Sequence, residues 1–167
     1  MNKGTLCKLN KELLKQYSVM GVKYLIENNI QIRRAEAKDA KYLAKLNVEF
    51  NGVGISEEEI IEGLSYSNEI VVIALINDLP VGFACAQYFK SICYSEPYAE
   101  VTELYIMGDA RRKGIATKVL DFVEKELILK GVRSVKVLTG KKNETAIKTY
   151  EKSNYIKKEE QVLQKKI

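Results

Sequence analysis

Two long apolar runs on either side of a short polar turn require a fold that contains an antiparallel strand pair. The segment EIVVIALINDLPVGFACAQYF, residues 69–89, has β-branched and aromatic residues on both sides of Asn77-Asp78-Leu79-Pro80. These four residues favour a reversal of the chain. We expect Pro80 to be the first residue of the second strand, where a missing N–H matters least. A β-hairpin over residues 69–89 is the first element that the sequence predicts.

The elements after this hairpin change in kind, because strands then alternate with helices. The predicted elements are strands at 98–107, 134–139 and 154–165, and helices at about 112–130 and 143–152. Gly131 fits the position just past the end of the longer helix. Strands joined first by turns and later by helical crossovers predict an α/β fold with a mixed sheet, antiparallel early and parallel near residues 98–139, with helices on both faces.

The region before the hairpin contributes a strand and two short helices. Ile30 and Ile32 suggest a strand, which leads into a helix that starts near Lys38. Ser56 and Glu59 form a capping box for a further helix through about Leu64. Residues 5–29 carry a helical pattern of their own. We therefore expect an N-terminal helical extension over residues 1–29 and one domain over residues 30–167.

Composition excludes several classes of site. The 167 residues include no histidine, and the three cysteines are widely spaced. This excludes mechanisms that need an imidazole and argues against a zinc site, so no metal is expected. The net charge of +5 is mixed with 22 acidic residues, which is too mild to indicate nucleic-acid binding. No apolar segment approaches the ~18 residues of a membrane span, so we expect a reducing, cytoplasmic location without a membrane partner.

A basic turn at the start of the longer helix is the strongest functional signal. The stretch ARRKGIATKVL, residues 110–120, combines three cations with the small residues Gly114 and Ala116. Positive side chains at a helix N-terminus are unfavourable because that end of the helix is already electropositive. Free N–H groups, the helix dipole and a glycine without a Cβ together suit a phosphate or pyrophosphate. A solvent-exposed basic helix start is the alternative interpretation.

The turn and its surroundings resemble a known family. Residues 111–116, RRKGIA, are similar to the R/Q-x-x-G-x-G/A signature of the GNAT superfamily of N-acetyltransferases. The preceding VTELYIM and the following VKVLTG and NETAIKTYEKSNY match that family's order of strand, helix, strand and helix. In the last segment Asn143 opens the helix and Tyr150 lies seven residues later, as in the family pattern. The resemblance covers about residues 30–166.

The resemblance implies acetyl-CoA as the cofactor and coenzyme A as a product. The pyrophosphate would bind N–H groups from about Arg111 to Thr117, and the pantetheine arm would pair with a strand that parts from its parallel neighbour. The implied cofactor-binding residues are Leu104, Tyr105, Ile106, Arg111, Arg112, Lys113, Gly114, Ile115, Ala116, Thr117, Asn143 and Ala146. Asn143 is equally well explained as an ordinary helix cap.

Acetyl transfer to an amine needs a base, a polarised carbonyl group and a proton for the departing thiolate. Glu103 is the candidate base, directly or through water, and Glu100 is the second choice. Following the family pattern, a backbone N–H near Ile106 would polarise the carbonyl oxygen, and Tyr150 would be the acid. Each has an ordinary alternative: Glu103 as a surface carboxylate of a half-exposed strand, and Tyr150 as a core tyrosine.

The acceptor is the least determined part of the prediction. Acidic residues gather in GISEEEIIEGLSYSNE and YSEPYAEVTE, where their charge would attract a cationic acceptor, although a solvated acidic helix start is the slightly better explanation of Glu57–Glu59. A polyamine, an aminoglycoside-like molecule or a peptide amine all remain open. The rival interpretations are a non-catalytic acyl-CoA-binding or sensor module of the same fold and a nucleic-acid-binding protein. The sequence does not decide whether the N-terminal helices cover the fold, form a homodimer contact or gate the acceptor cleft.

Overall fold

Five strands form one sheet, in which their spatial order is the same as their order along the chain. The structure is a computed structural model, and it describes residues 29–66 and 68–167. The strands are β1 (Ile30–Arg34), β2 (Glu69–Ile76), β3 (Leu79–Phe89), β4 (Tyr98–Ile106) and β5 (Ser134–Val137). Pairs β1–β2, β2–β3 and β3–β4 are antiparallel, whereas β4–β5 is parallel. The predicted mixed α/β sheet is therefore confirmed.

Helices cover both faces of this sheet, as the sequence predicts. They are α1 (Ala40–Asn51), α2 (Glu57–Gly63), α3 (Ile115–Leu129) and α4 (Glu144–Lys152). Short 3₁₀ turns at Ala37–Asp39 and Gly108–Ala110 precede α1 and the basic turn. The predicted capping box is present at α2, where the Ser56 hydroxyl accepts from the Glu59 N–H at 3.2 Å and the Glu59 carboxylate accepts from the Ser56 N–H at 2.9 Å.

The hairpin is tighter than the sequence suggests. Asn77 and Asp78 form a two-residue loop with φ of 50° and 64°, as a type I′ turn requires. Leu79 and Pro80 already belong to β3, so the expectation that Pro80 begins the strand is wrong by one residue. Short polar residues tolerate the left-handed region, and this turn twists the two strands in the sense of the sheet.

The apolar side chains divide into two clusters, one on each face of the sheet. The larger cluster packs under α3, whose fully buried side chains include Val119, Leu120, Val123 and Leu127. The smaller cluster packs under α1 and contains Leu43, Leu46, Ile73, Leu75 and Phe83. We call these sides the α3 face and the α1 face. The chain thus has the two-layered coverage that a sheet with both faces buried requires.

The ends of α3 follow from residues with positive φ. Gly131, at φ 80°, lies one residue past the C-cap, and its N–H donates to the Ile128 carbonyl group while Val132 donates to Leu127. This end is as predicted. The start of α3 differs from the prediction, since the helix begins at Ile115 rather than near Arg112. Arg112 (φ 61°) and Gly114 (φ 74°) have left-handed backbone angles, which cannot continue a right-handed helix.

Further predicted boundaries need correction. β5 ends at Val137 rather than at residue 139, and α1 follows a 3₁₀ turn instead of starting at Lys38. The expected last strand over 154–165 is wrong, because residues 155–167 form no helix or strand. Asn154 turns the chain at φ 65°, and the charged run after it supplies no apolar face for a sheet. The predicted helices of residues 5–29 lie almost entirely outside the described residues, so the extension stays a prediction.

A salt bridge ties the first strand to the first helix. Arg33 of β1 donates two hydrogen bonds to the buried carboxylate of Asp39, at 2.6 and 2.8 Å. The Asp39 carboxylate also accepts from the Glu36 N–H at 2.8 Å. The Arg33 hydrogen bonds lower the pKa of Asp39 below its usual range and outweigh the opposite effect of burial. Every helix in residues 29–66 and 68–167 is too short or too polar to span a lipid bilayer.

Candidate active site

Strands β4 and β5 separate halfway along β4. Their parallel pairing runs from Tyr98↔Ser134 to Val101↔Val137 and ends there. β4 continues for five more residues, to Ile106, with β3 alone as its described neighbour in the sheet. The predicted parting of these strands beside residues 104–106 is thus present in the fold. A strand with one free side can pair with an extended ligand.

A β-bulge at Thr102 decides which side chains of β4 face which way. Val101 pairs with Ala86 and Glu103 pairs with Cys85, so Thr102 is the extra residue. Before the bulge Val101 packs on the α3 face, and after it Leu104 does, three residues later. The predicted strand did not include a bulge. The signal in the sequence was the odd spacing of the apolar residues 101, 104 and 106.

The free side of β4 presents backbone groups of Leu104 and Ile106. The Met107 N–H donates to the Val81 carbonyl group of the neighbouring hairpin strand at 2.9 Å. Alternate residues of an antiparallel pair point their N–H and C=O groups to opposite sides. Those of Leu104 and Ile106 therefore point away from β3 and into the gap, but the Ile106 C=O already accepts from the Arg111 Nε–H at 2.8 Å. This is the direction that the predicted donor near Ile106 needs.

The basic turn leaves a row of N–H groups free at the start of α3. The first hydrogen bond of the helix runs from the Lys118 N–H to the Gly114 carbonyl oxygen at 3.2 Å. The N–H groups of Ile115, Ala116 and Thr117 thus lack intrahelical partners and point out of the helix end. The Ile115 side chain itself is buried in the main cluster, so only its backbone can serve a ligand.

Gly114 is needed for its backbone angle and for the space above it. Its φ is 74°, an angle that residues with a side chain rarely adopt, and a Cβ built there would meet nothing within 4 Å. The protein does not crowd this glycine. The open position next to free N–H groups fits a pyrophosphate, which carries the negative charge that a helix N-terminus and the exposed Arg112 and Lys113 favour.

The two remaining predicted cofactor-binding residues, Asn143 and Ala146, lie at the start of α4. The Asn143 side-chain oxygen accepts from the Ala146 N–H at 3.2 Å, so Asn143 caps the helix. The structure thus supports the ordinary interpretation of Asn143 and shows that the Ala146 N–H already has a partner. α4 contacts α3, the helix that begins at the basic turn.

Tyr150 lies on the half-buried side of α4. It packs against the main cluster under α3, and its ring centroid is 5.7 Å from that of Tyr155. Burial raises the pKa of Tyr150 above its ordinary value. The phenol is therefore held in its protonated form, which is what a proton donor requires and also what a buried core tyrosine shows.

The two candidate bases differ in their partners. Glu100 forms an ion pair with Lys136 of β5 at 3.0 Å. Among the described residues Glu103 has no ion pair, and it lies opposite Cys85 on the α1 face. Burial raises the pKa of the Cys85 thiol well above its ordinary value, with a further contribution from the Glu103 carboxylate. Glu103 thus adjoins a neutral thiol rather than a cation.

Glu69 of β2 adds a second carboxyl group to this part of the α1 face. Burial raises the pKa of Glu69, Gln87 opposes that shift by a hydrogen bond, and the nearby Glu103 adds to it. By contrast, Glu59 of the acidic segment EEEIIE is used in the capping box. The structure therefore divides the predicted acidic region: Glu59 stabilises a helix start, while Glu69 and Glu103 lie close together on the sheet.

Comparisons with known proteins agree with this architecture. The sequence matches no curated protein. Among solved structures it is similar to an aminoglycoside acetyltransferase, meta-AAC0020, from an uncultured soil metagenomic sample in complex with sisomicin. The TM-score is 0.74 at 21% identity, covering 85% of this chain and 98% of that one.

Two further solved structures share the fold. Aminoglycoside N-acetyltransferase AAC(6')-Iy in complex with CoA has a TM-score of 0.72 at 18% identity, with 83% of this chain and 95% of that chain covered. A transcriptional regulator from Bacillus halodurans C-125 also has a TM-score of 0.72, at 15% identity, with 83% and 100% covered. The model of the acetyltransferase (GNAT) family matches residues 39–155. Because this match spans well over half of the chain and includes the basic turn, the protein belongs to the acetyltransferase (GNAT) family.

Proposed function

We propose that this protein transfers the acetyl group of acetyl-CoA to a primary amine. The observation that carries the proposal is the position of the β4–β5 gap beside the basic turn. The gap offers backbone groups to an extended amide chain, and the basic turn offers free N–H groups to a diphosphate. Acetyl-CoA has both parts, joined in that order.

The N–H groups of residues 114–117 would hold the pyrophosphate, supported by the exposed Arg112 and Lys113. The backbone groups of Leu104 would pair with the pantetheine arm, next to the N–H of Ile106. Asn143 and Ala146 act mainly by fixing the start of α4 beside that arm. When bound, acetyl-CoA supplies a thioester, whose carbonyl carbon accepts the amine nitrogen and whose sulfur leaves.

Glu103 would take the proton that the attacking amine loses. An alkylammonium group has a pKa of about 10, so a base is needed near neutral pH. Glu103 is on the α1 face next to the gap, and it lacks the cationic partner that Glu100 has. Tyr150 packs on the α3 face of the sheet, and it would give its proton to the departing thiolate. The N–H of Ile106 would polarise the thioester oxygen.

A small cationic amine is the acceptor class that the charges favour over a peptide. Glu69 and Glu103 place two carboxyl groups on one patch of the α1 face, which attracts a molecule with more than one ammonium group. The solved structures of similar fold contain an aminoglycoside, sisomicin, in one case and CoA in another. A polyamine or an aminoglycoside-like compound is therefore the first acceptor to test, with a peptide amine second.

Thiol release from acetyl-CoA, measured with a panel of polyamines, aminoglycosides and peptides, tests the proposal directly. Calorimetry with coenzyme A should run beside it. We expect coenzyme A binding and amine-dependent thiol release. Binding without release with any amine would favour the alternative, a non-catalytic acyl-CoA sensor. That alternative has one specific observation behind it, the shared fold of the Bacillus halodurans regulator. Absence of coenzyme A binding would refute both.

Replacing Glu103 by glutamine tests the base. We expect Glu103→Gln to lower turnover most at low pH, where free amine is scarce, and least near pH 10, where the amine loses its proton without help. The pH dependence of thiol release measures this. Glu100→Gln is the matched control, because it removes the neighbouring carboxylate of the same strand. An equal loss at all pH values would contradict the role of Glu103.

A further inference from the structure

The Arg111 side chain turns back onto the end of β4. Its Nε–H donates to the Ile106 carbonyl oxygen at 2.8 Å, in a partly buried position. Its guanidinium carbon lies 5.9 Å from the centre of the Tyr105 ring, within reach of a cation–π interaction. Among the described residues, the neighbouring Arg112 and Lys113 make no such hydrogen bond or ion pair. Arg111 thus differs from the other two cations of the basic turn.

The backbone of Arg111 is engaged as well. Its N–H donates to the Gly108 carbonyl oxygen at 3.2 Å, closing the 3₁₀ turn between β4 and the basic turn. Neither the N–H nor the Nε–H of Arg111 is therefore directed at a ligand beyond the start of α3. Both groups make their hydrogen bonds within the segment 106–111.

The carbonyl group that Arg111 holds belongs to the last residue of β4. Ile106 lies beyond the part of β4 that β5 supports, so β3 is its described neighbour in the sheet. A strand end held from one side opens more easily than one paired on both sides. The hydrogen bond from a charged donor supplies a second attachment. It also links the strand end to the turn that begins α3.

We propose that Arg111 is a positioning residue, which holds the end of β4 in the conformation that receives the pantetheine arm. This inference rests on the proposed function, because it concerns the same cofactor site. It changes the expected role of the Arg111 side chain. The charge for the pyrophosphate comes from Arg112 and Lys113, and the Arg111 guanidinium acts through Ile106.

Two probes separate these roles. Coenzyme A carries the pyrophosphate and the pantetheine arm, whereas 3′-phosphoadenosine 5′-diphosphate carries the pyrophosphate without the arm. Arg111→Lys keeps the charge and loses the Nε donor. We expect it to weaken coenzyme A binding by about five- to tenfold, the loss of one charge-assisted hydrogen bond, and to leave binding of the armless probe within about twofold. Arg111→Gln should give the same split.

Arg112→Gln is the matched control, because it removes a cation one residue away and should weaken both probes equally. Isothermal titration calorimetry measures the affinities, and thermal unfolding verifies that each variant is folded. The proposal would be overturned if Arg111→Lys bound both probes as tightly as the wild-type protein does, or if it lost the same affinity for both. If the wild-type protein binds neither probe, the proposed function fails instead, and the two failures are thereby distinguished.

Discussion

Gly114 and Gly52 have almost the same backbone angle, with φ of 74° and 75°, and neither has a neighbour that a Cβ would touch. Only Gly114 adjoins the free N–H groups of a long helix. We expect Gly114→Glu to weaken coenzyme A binding at least about tenfold, because the carboxylate repels the pyrophosphate where the dipole attracts it. Calorimetry with coenzyme A measures this.

Gly52→Glu is the control for Gly114→Glu. It adds the same side chain at the same backbone angle, just past the end of α1. Both variants should lose about 1 kcal/mol of unfolding free energy from the unfavourable angle. Only the variant at Gly114 should lose coenzyme A affinity. Equal affinity in the two variants would contradict the placement of the pyrophosphate.

Tyr150 and Tyr155 offer a second matched pair at the residue scale. Their rings are in contact, and burial raises the pKa of both phenols. We expect Tyr150→Phe to lower turnover about a hundredfold with little change in coenzyme A affinity, because only the proton donor is lost. Tyr155→Phe should leave turnover within about twofold. The defect of Tyr150→Phe should persist up to pH 9, since the raised pKa keeps the wild-type phenol protonated there.

At the scale of elements, the β3–β4 pair depends on a close approach at Gly82. A Cβ at Gly82 would overlap the carbonyl oxygen of Tyr105 and the side chain of Ile106. We expect Gly82→Ala to destabilise the fold by about 1–3 kcal/mol, because the end of β4 must shift. Urea unfolding measures this.

Gly63→Ala is the control for this prediction. Gly63 ends α2 without a positive φ, and nothing lies within 4 Å of the position of its Cβ. Alanine there should leave the stability unchanged or raise it by up to about 1 kcal/mol. If Gly82→Ala were as stable as the wild-type protein, β3 and β4 would not pack as closely as the structure shows.

Elements were more predictable than their contacts. The hairpin, the capping box of α2 and the end of α3 at Gly131 depend on neighbours within a few residues, and the sequence predicts all three. The bulge at Thr102 depends on how β4 pairs with β3, so the spacing of apolar residues within β4 alone does not predict it. The last strand was predicted wrongly because propensity without a partner strand does not make a sheet.

For the whole molecule, the Arg33–Asp39 salt bridge couples stability to pH. The pKa of Asp39 is lowered in the folded state, so its contribution is complete above the unfolded pKa of about 3.9 and is lost as pH falls through the folded pKa. We expect Asp39→Asn to lower the unfolding free energy by about 1–3 kcal/mol at pH 7 and to flatten its decline below pH 5.

Urea unfolding followed by circular dichroism between pH 7 and pH 3 measures this change. Asp121→Asn is the control, because the Asp121 carboxylate pairs with Lys125 at 2.7 Å on the exposed side of α3. An exposed pair of this kind contributes at most about 0.5 kcal/mol. A decline with pH as steep in Asp39→Asn as in the wild-type protein would show that the salt bridge does not carry the acid sensitivity.

The sequence by itself determined the class of the molecule: a mixed sheet, a glycine-containing basic turn before a long helix, and a family whose signature that turn carries. These features are local, because turn chemistry, helix periodicity and caps act over a few residues. The described site also depends on residues distant in sequence. Only the tertiary structure placed Glu69 near Glu103, parted β4 from β5 after Val101, and brought Arg111 to Ile106, since strand register and side-chain packing decide such contacts.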